Sequence, residues 1–338
     1  KANITIYDPR SESKLRPIIS KMAPNLKKLL LTGSIPSQDL ALKDLIILSS
    51  DINSKSLFLR KAREAGVPIE YQEILFLKYS PNITLLGIAG SYGKTSISKM
   101  LNSIFKQSLS LDSNQSLFYI DHESSSGYIS NLKKIKPGDI VLSEIPEHMI
   151  KEYRKARINP HIAVITSLTS TGEGGDNEVF GLLEYQTYNN FIIAPDIVID
   201  NLRKRVGFTA RAKIFRTRVG IVPNNWNLSK HSPHDLENLS LVLQVCEILK
   251  IEKDTIRLVI EKFKGIKGHM EYVKNIRGID FYNDGASISP YATENAIINI
   301  SNGNEEKNIV LILGGAYTGY EYDRLINIVK IKVKTVIC

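Results

Sequence analysis

Short uninterrupted apolar runs alternate along this chain with longer stretches whose apolar positions recur every third or fourth residue. The runs mark buried strands and the stretches amphipathic helices, because side chains repeat every two residues along a strand and about every 3.6 along a helix. Apolar runs at 4–7, 26–30 and 45–48 are interleaved with a polar helical stretch and with helical spacing over 56–65. Gly66 stands where that last helix should end, as a C-cap glycine, and Val67, Pro68 and Ile69 open a further strand, the order of a doubly wound parallel sheet. After a linker near Pro81 the pattern restarts with a buried strand at 84–89, a helix at 95–105 and strands at 139–142 and 163–166. Helices at 236–250 and 255–263 present apolar faces, and from Gly265 a strand at 280–282, a helix at 291–300 and strands at 308–313 and 335–337 follow. The expectation is an α/β chain in three parts, 1–79, 80–264 and 265–338, with no internal repeat or low-complexity segment.

Length and composition agree with several packed cores, since 338 residues exceed one ordinary domain and 43% hydrophobic with 23% charged residues is an ordinary globular mixture. The apolar runs around 44–50 and 308–315 stop far short of the roughly 20 residues a membrane helix needs, so no span is expected. Residues 1–8 lack the layout of a signal peptide and read as a strand, as though the chain begins inside a fold. Two cysteines, Cys246 and Cys338, make neither a disulfide framework nor a metal spacing, which favours a reducing cytoplasm. Of the six histidines only His231 and His234 are close, in a loop before a helix start, so no structural zinc is expected. The net charge of +9, from 44 basic and 35 acidic residues, would suit an anionic partner. Its lysines are scattered, with no block longer than Lys133-Lys134-Ile135-Lys136, so the charge reads as a solvated surface and no nucleic-acid partner is expected.

The sharpest chemical signal is Gly87-Ile88-Ala89-Gly90-Ser91-Tyr92-Gly93-Lys94-Thr95-Ser96, set between an expected strand and an expected helix. In such a loop glycines let backbone N–H groups converge on phosphate oxygens, and the helix N-terminus adds partial positive charge. A lysine reaches the outer phosphates and the hydroxyl after it ligates Mg²⁺, which assigns Lys94 and Thr95. The bland alternative is an ordinary glycine-rich turn with an incidental Gly-Lys-Thr.

This loop resembles the ATP loop of the Mur ligases, which join amino acids to UDP-N-acetylmuramoyl precursors of peptidoglycan. The resemblance implies ATP contacts from Gly90, Ser91, Tyr92, Gly93, Lys94, Thr95 and Ser96. Asp139 to Met149 is similar to the family's next central strand, which makes Glu144 the Mg²⁺ carboxylate beside Thr95. Ser232 to Asn238 resembles the helix start whose last asparagine, here Asn238, lies against adenine. His269 stands where the family carries an arginine to the γ-phosphate, and Asp284, in Phe281 to Ser287, matches a ribose-binding aspartate of the D-glutamate-adding branch. Leu311 to Gly315 looks like the Leu-Gly-Gly that follows, and Asp8 with Arg10 looks like part of the nucleotide-sugar pocket. The resemblance covers 4–337 and implies a partial Rossmann-like N-terminal domain, a central P-loop ATPase domain and a truncated Rossmann-like C-terminal domain, with the chain incomplete at both ends. It implies an ATP-dependent carboxylate–amine ligase, monomeric, taking UDP-N-acetylmuramoyl-L-alanine and D-glutamate as substrates through an acyl phosphate, with Lys94, Glu144 and His269 as its catalytic groups.

Four departures from the family pattern stand beside it. Thr171 and Gly172 replace an Asp-His pair that supplies a second metal ligand, and Asn189 stands where a helix should carry a carbamylated lysine. Ala286 replaces a lysine, and Ala316 and Tyr317 replace charged residues after Gly315. A Gly-Asn-Ile-Gly segment near the sugar is not recognisable around 122–128. These leave two rivals: another or degenerate Mur-type ligase that still binds nucleotide, and a P-loop ATPase acting on nucleic acid.

Overall fold

The computed structural model describes residues 3–8, 10–33, 42–49, 57–109, 115–120, 128–168, 175–204, 211–228, 233–263, 265–287, 290–301, 307–315 and 322–338. The chain divides into two compact units, Lys1–Tyr79 and Ser80–Cys338. In the first, strand Ile6–Asp8 pairs in parallel with Leu30–Thr32, and Ile46–Leu48 with Ile69–Tyr71. Helices Glu12–Ile19, Pro24–Lys27, Leu57–Glu64 and Gln72–Tyr79 lie between and after these strands. Tyr7 stacks on Phe58 at 4.8 Å between ring centroids, and Leu59, Ala62, Ile74 and Phe76 are fully buried. Gly66 ends its helix at φ +72°, a left-handed turn that glycine adopts without penalty.

The second unit is built on a six-stranded parallel sheet in the order Lys213–Thr217, Phe191–Pro195, Ile162–Ile165, Thr84–Ala89, Ile140–Glu144, Leu117–Ile120. Its central strands are buried along their whole length because both faces are covered, which explains their continuous apolar runs. Helices Lys94–Leu109, Pro233–Ile248 and Lys253–Ile260 pack together over a core of Leu86, Ile88, Ile97, Met100, Ile104, Val242 and Val245. Elsewhere around this sheet, helices Glu147–Lys155 and Gly175–Leu183 pack on each other and Asp196–Arg203 on the strand Phe191–Pro195. At Gly87 a Cβ would fall 2.6 Å from Ile145 Cδ1 and Pro160 Cγ, so the sheet tolerates no side chain there. The strand Thr84–Ala89 is central and its chain neighbour Leu117–Ile120 lies one strand beyond Ile140–Glu144. Strand order therefore reverses beside the end of Thr84–Ala89, the place where open α/β sheets bind ligands.

After residue 265 come two small sheets. Glu271–Ile276 and Ile279–Asn283 form an antiparallel hairpin closed by Arg277 and Gly278 at φ +51° and +81°, a two-residue turn whose twist suits the strands. Ile309–Ile312 and Val333–Ile337 pair in parallel through helix Asp323–Lys332, and Ile297 from helix Pro290–Ser301 joins Ile309, Leu325 and Val333 in their core. The segment expected as a helix before Asn189 is not one: the helix ends at Leu183, and Thr187 and Asn190 close a turn through Thr187 N to Asn190 Oδ1 at 2.7 Å. Among the described residues no helix is long and apolar enough to cross a membrane.

Candidate phosphate-binding site

The chain leaves the sheet at Ala89 and enters the helix at Lys94, and the intervening turn requires glycine twice. Gly90 sits at φ +129°, where a Cβ would fall 2.3 Å from Thr166 Oγ1, and Gly93 at φ +82°, where a Cβ would fall 2.7 Å from Asn238 Oδ1. Both positions combine a backbone conformation that L side chains rarely adopt with a close neighbour, at Gly90 the backbone of Ser167 and at Gly93 the Asn238 side chain. The loop is therefore drawn tight against the ends of two other elements, the strand Ile162–Ile165 and the helix Pro233–Ile248.

Lys94 turns its ammonium back onto the carbonyl of Gly90. Burial pushes its pKa below the ordinary lysine value, while the carboxylates of Glu147 and Glu144 pull the other way. Glu144, 4% exposed at the end of its strand, accepts from Thr95 Oγ1 at 3.0 Å, from Ser98 Oγ at 2.5 Å and from Tyr119 OH at 2.9 Å. A buried carboxylate is retained at such a depth when its oxygens are satisfied, and here three hydroxyls from two elements do so. Thr95 and Glu144 offer the hard oxygen donors that Mg²⁺ takes, so the residues fit that ion; among the described residues no group of three or more His, Cys, Asp or Glu side chains comes together as a metal site.

The crest of the loop is held from two sides. Ser91 Oγ donates to Glu147 Oε1 at 2.9 Å, and the amides of Ser91 and Tyr92 donate to Ser167 Oγ at 3.0 and 3.2 Å. Thr166 donates its hydroxyl to the carbonyl of Tyr92. Burial raises the Tyr92 phenol above its usual range, with Glu237 adding to the effect and Arg324 opposing it.

The residues expected from the sequence thus separate into three places. Gly90 to Ser96, Glu144 and Asn238 converge on the loop, with Asn238 against Gly93. His269 and Asp284 share a turn beside the small hairpin: the amide of His269 donates to Ile266 O at 3.0 Å, and Asp284 accepts from Met270 N at 2.9 Å and from Ser287 Oγ at 2.6 Å. Asp8 and Arg10 belong to the first unit, where Arg10 Nε donates to Asp8 Oδ1 at 2.9 Å. That hydrogen bond holds the Asp8 carboxyl below its usual range against a smaller effect of burial. Ser167, Thr166, Glu147, Ser98 and Tyr119 were not singled out by the sequence, and a hydroxyl or carboxylate at a strand end carries no local signature of what it will touch. Ala286 is placed in the turn, its amide donating to Gly268 O at 2.9 Å, while 171–172, 316–317 and 121–127 lie outside the described residues.

Residues 88–172 match the Mur ligase middle domain. Over 99% of its length the chain is 25% identical to the UDP-N-acetylmuramoylalanine–D-glutamate ligase of Caldanaerobacter subterraneus subsp. tengcongensis, covering 77% of it. Identity and both shares are the same, 25%, 99% and 77%, for the ligase of that name from Bdellovibrio bacteriovorus. Among solved structures, MurC from Thermotoga maritima is similar with a TM-score of 0.57 at 13% identity, over 96% of this chain and 77% of that one. MurF from Thermotoga maritima in complex with ADP is similar with a TM-score of 0.55 at 15% identity, over 88% of each chain. These likenesses are of fold, and the fold is the three-domain α/β architecture of such ligases.

Proposed function

We propose that this chain is a Mur-type ligase that joins D-glutamate to UDP-N-acetylmuramoyl-L-alanine, driven by ATP through an acyl phosphate, a reading supported by the match of residues 88–172 to the Mur ligase middle domain and by the relatives' likeness. The observation that carries the nucleotide part is the loop itself: two glycines at positive φ, a half-buried lysine beside them and a hydroxyl 3.0 Å from a buried carboxylate, all where the strand order reverses. The D-glutamate step rests on the printed activity of the relatives and on the run from Phe281 to Ser287.

A carboxylate is a poor electrophile, so the reaction must first convert it to an acyl phosphate, which the amine then attacks with loss of phosphate. Most of that work is positioning and charge neutralisation. Loop amides and the start of the helix Lys94–Leu109 would face the phosphates, and Lys94, released from the Gly90 carbonyl, would extend its charge to the transferred group. Mg²⁺ held by Thr95 and Glu144 would add Lewis-acid neutralisation of phosphoryl oxygens. Asn238 and Asp284 would seat the nucleoside, His269 would approach the γ-phosphate, and Asp8 and Arg10 would face the precursor's UDP end, where a guanidinium pairs with phosphate. We assign the reaction to the cytoplasm and take the protein as a monomer.

The test is phosphate release from ATP with Mg²⁺ and UDP-N-acetylmuramoyl-L-alanine, with and without D-glutamate, beside Lys94→Ala. Release that needs D-glutamate and disappears in the variant is expected. Nucleotide binding without release in the presence of both substrates would overturn the D-glutamate reading and leave a degenerate or differently specific relative. That second reading is favoured by Ala286 and by the exposed turn at Asn189, neither of which supplies the cation or carbamate the family pattern has there.

A further inference from the structure

The two consecutive amides at the loop crest point not at solvent but at one oxygen, the hydroxyl of Ser167. Ser167 is 3% exposed, and its chain neighbour Thr166 is 6% exposed and donates to the Tyr92 carbonyl, so the peptides around Tyr92 are gripped at donor and acceptor alike. The grip is rigid at its base: Thr166 N donates to Ala89 O at 2.9 Å, continuing the pairing of Ile162–Ile165 with Thr84–Ala89 past the end of the sheet. Gly90 leaves no slack, since a Cβ there would strike Thr166 Oγ1 at 2.3 Å and Ser167 N at 2.9 Å. From the other side Glu147 accepts the Ser91 hydroxyl at 2.9 Å.

We propose that Ser167 is a positioning residue of the phosphate loop: its hydroxyl, by accepting from Ser91 and Tyr92, turns the loop crest so that the amides that follow, up to Thr95, face the nucleotide phosphates. The proposal rests on the ATP-binding reading above and adds to it a residue outside the glycine-rich motif. Ser167 acts through the backbone and touches no phosphate itself. An N–H that lost this acceptor would seek another, and the neighbouring peptides would rotate with it. The opposite role is also physically defined. If the hydroxyl merely fills a seat that phosphate must take, its removal would tighten nucleotide binding.

The experiment measures binding of a non-hydrolysable ATP analogue with Mg²⁺ to the full chain by calorimetry, together with thermal melting, for wild type, Ser167→Ala and Ser167→Thr. Ser167→Ala is expected to weaken the analogue about tenfold, the scale of one or two lost hydrogen bonds, and Ser167→Thr to restore most of it. In turnover the loss should appear in the KM for ATP and not in the KM for the amine substrate, a split that general destabilisation would not produce. Equal or tighter binding by Ser167→Ala overturns the proposal. Should that variant be recovered unfolded, Ser167→Cys keeps the volume with a weaker acceptor and is read by the same two outcomes. A folded wild-type chain that binds no nucleotide would instead remove the ATP reading, and the positioning role with it.

Discussion

Lys94 is asked to be charged in a place that disfavours charge. Burial lowers its pKa from the ordinary 10.5, and the Glu147 and Glu144 carboxylates recover only part of that shift. A base with a depressed folded-state pKa binds fewer protons than the unfolded chain in the window between the two values, so its contribution to stability rises with pH there. For binding the sign is reversed. The charged form that phosphate needs is fully present below the lowered pKa and is lost as pH rises through it, before pH 10.5 is reached. Affinity for an ATP analogue should therefore fall on the alkaline side in wild type, with proton uptake on binding, because the phosphates restore the lysine's charge. Lys94→Met should bind weakly at every pH and show no such fall, and a wild-type profile flat to pH 10 would contradict this account of Lys94. Glu144 differs in kind: its oxygens accept from three hydroxyls, those of Thr95, Ser98 and Tyr119.

At the scale of elements, the strand–loop–helix unit works only if the turn stays tight. Gly93→Ala would place a methyl 2.7 Å from Asn238 Oδ1 at φ +82°, so the Asn238 side chain or the loop must shift. The left-handed backbone costs about 1–2 kcal/mol in stability, visible as a melting point lower by several degrees at most. Nucleotide affinity should fall more than tenfold, and unchanged affinity would show that the close approach of Asn238 is incidental. This unit was legible in the sequence because its constraints are local: an apolar run, a glycine-rich turn whose Gly90 and Gly93 the structure places at positive φ, and a helical period expected over 95–105 where the helix runs Lys94–Leu109. Glu144 stands at the end of a second apolar run, but its metal role was read from the resemblance of Asp139 to Met149 to the family's next central strand and not from that run alone. Ser167 was not legible, since it lies 76 residues from Ser91 and meets it only after strand Ile162–Ile165 pairs beside Thr84–Ala89. The strand Lys213–Thr217 escaped reading because an edge strand mixes Lys213 and Arg216 with Ile214 and Phe215, which blurs the apolar run. The helix expected before Asn189 failed because the Asn190 side chain satisfies the amide and hydroxyl of Thr187, a local bond that competes with a helical turn.

For the whole molecule, each substrate should leave a separate footprint. The loop residues, Glu144, Ser167 and Asn238 all belong to the unit Ser80–Cys338, whereas Asp8 and Arg10 belong to Lys1–Tyr79. Amide exchange reports opening of local hydrogen bonds, and a ligand that closes a loop slows exchange where the loop's own bonds are few. Loop 90–93 is such a place, since the amides of Ser91 and Tyr92 donate to the side chain of Ser167. Hydrogen–deuterium exchange with a Mg²⁺–ATP analogue alone should slow 90–98 and 144–149 and leave 6–33 unchanged. The UDP-linked precursor alone should slow the region around Asp8 and Arg10, whose ion pair is the first unit's candidate for meeting a phosphate. Both ligands together should protect both regions, because acyl-phosphate formation requires the precursor carboxylate and the γ-phosphate to meet in one complex. Protection of 6–33 by nucleotide alone as strong as at the loop would contradict the division of labour. Protection by the precursor confined to 80–338 would remove Asp8 and Arg10 from the sugar-nucleotide site while leaving the nucleotide loop as described.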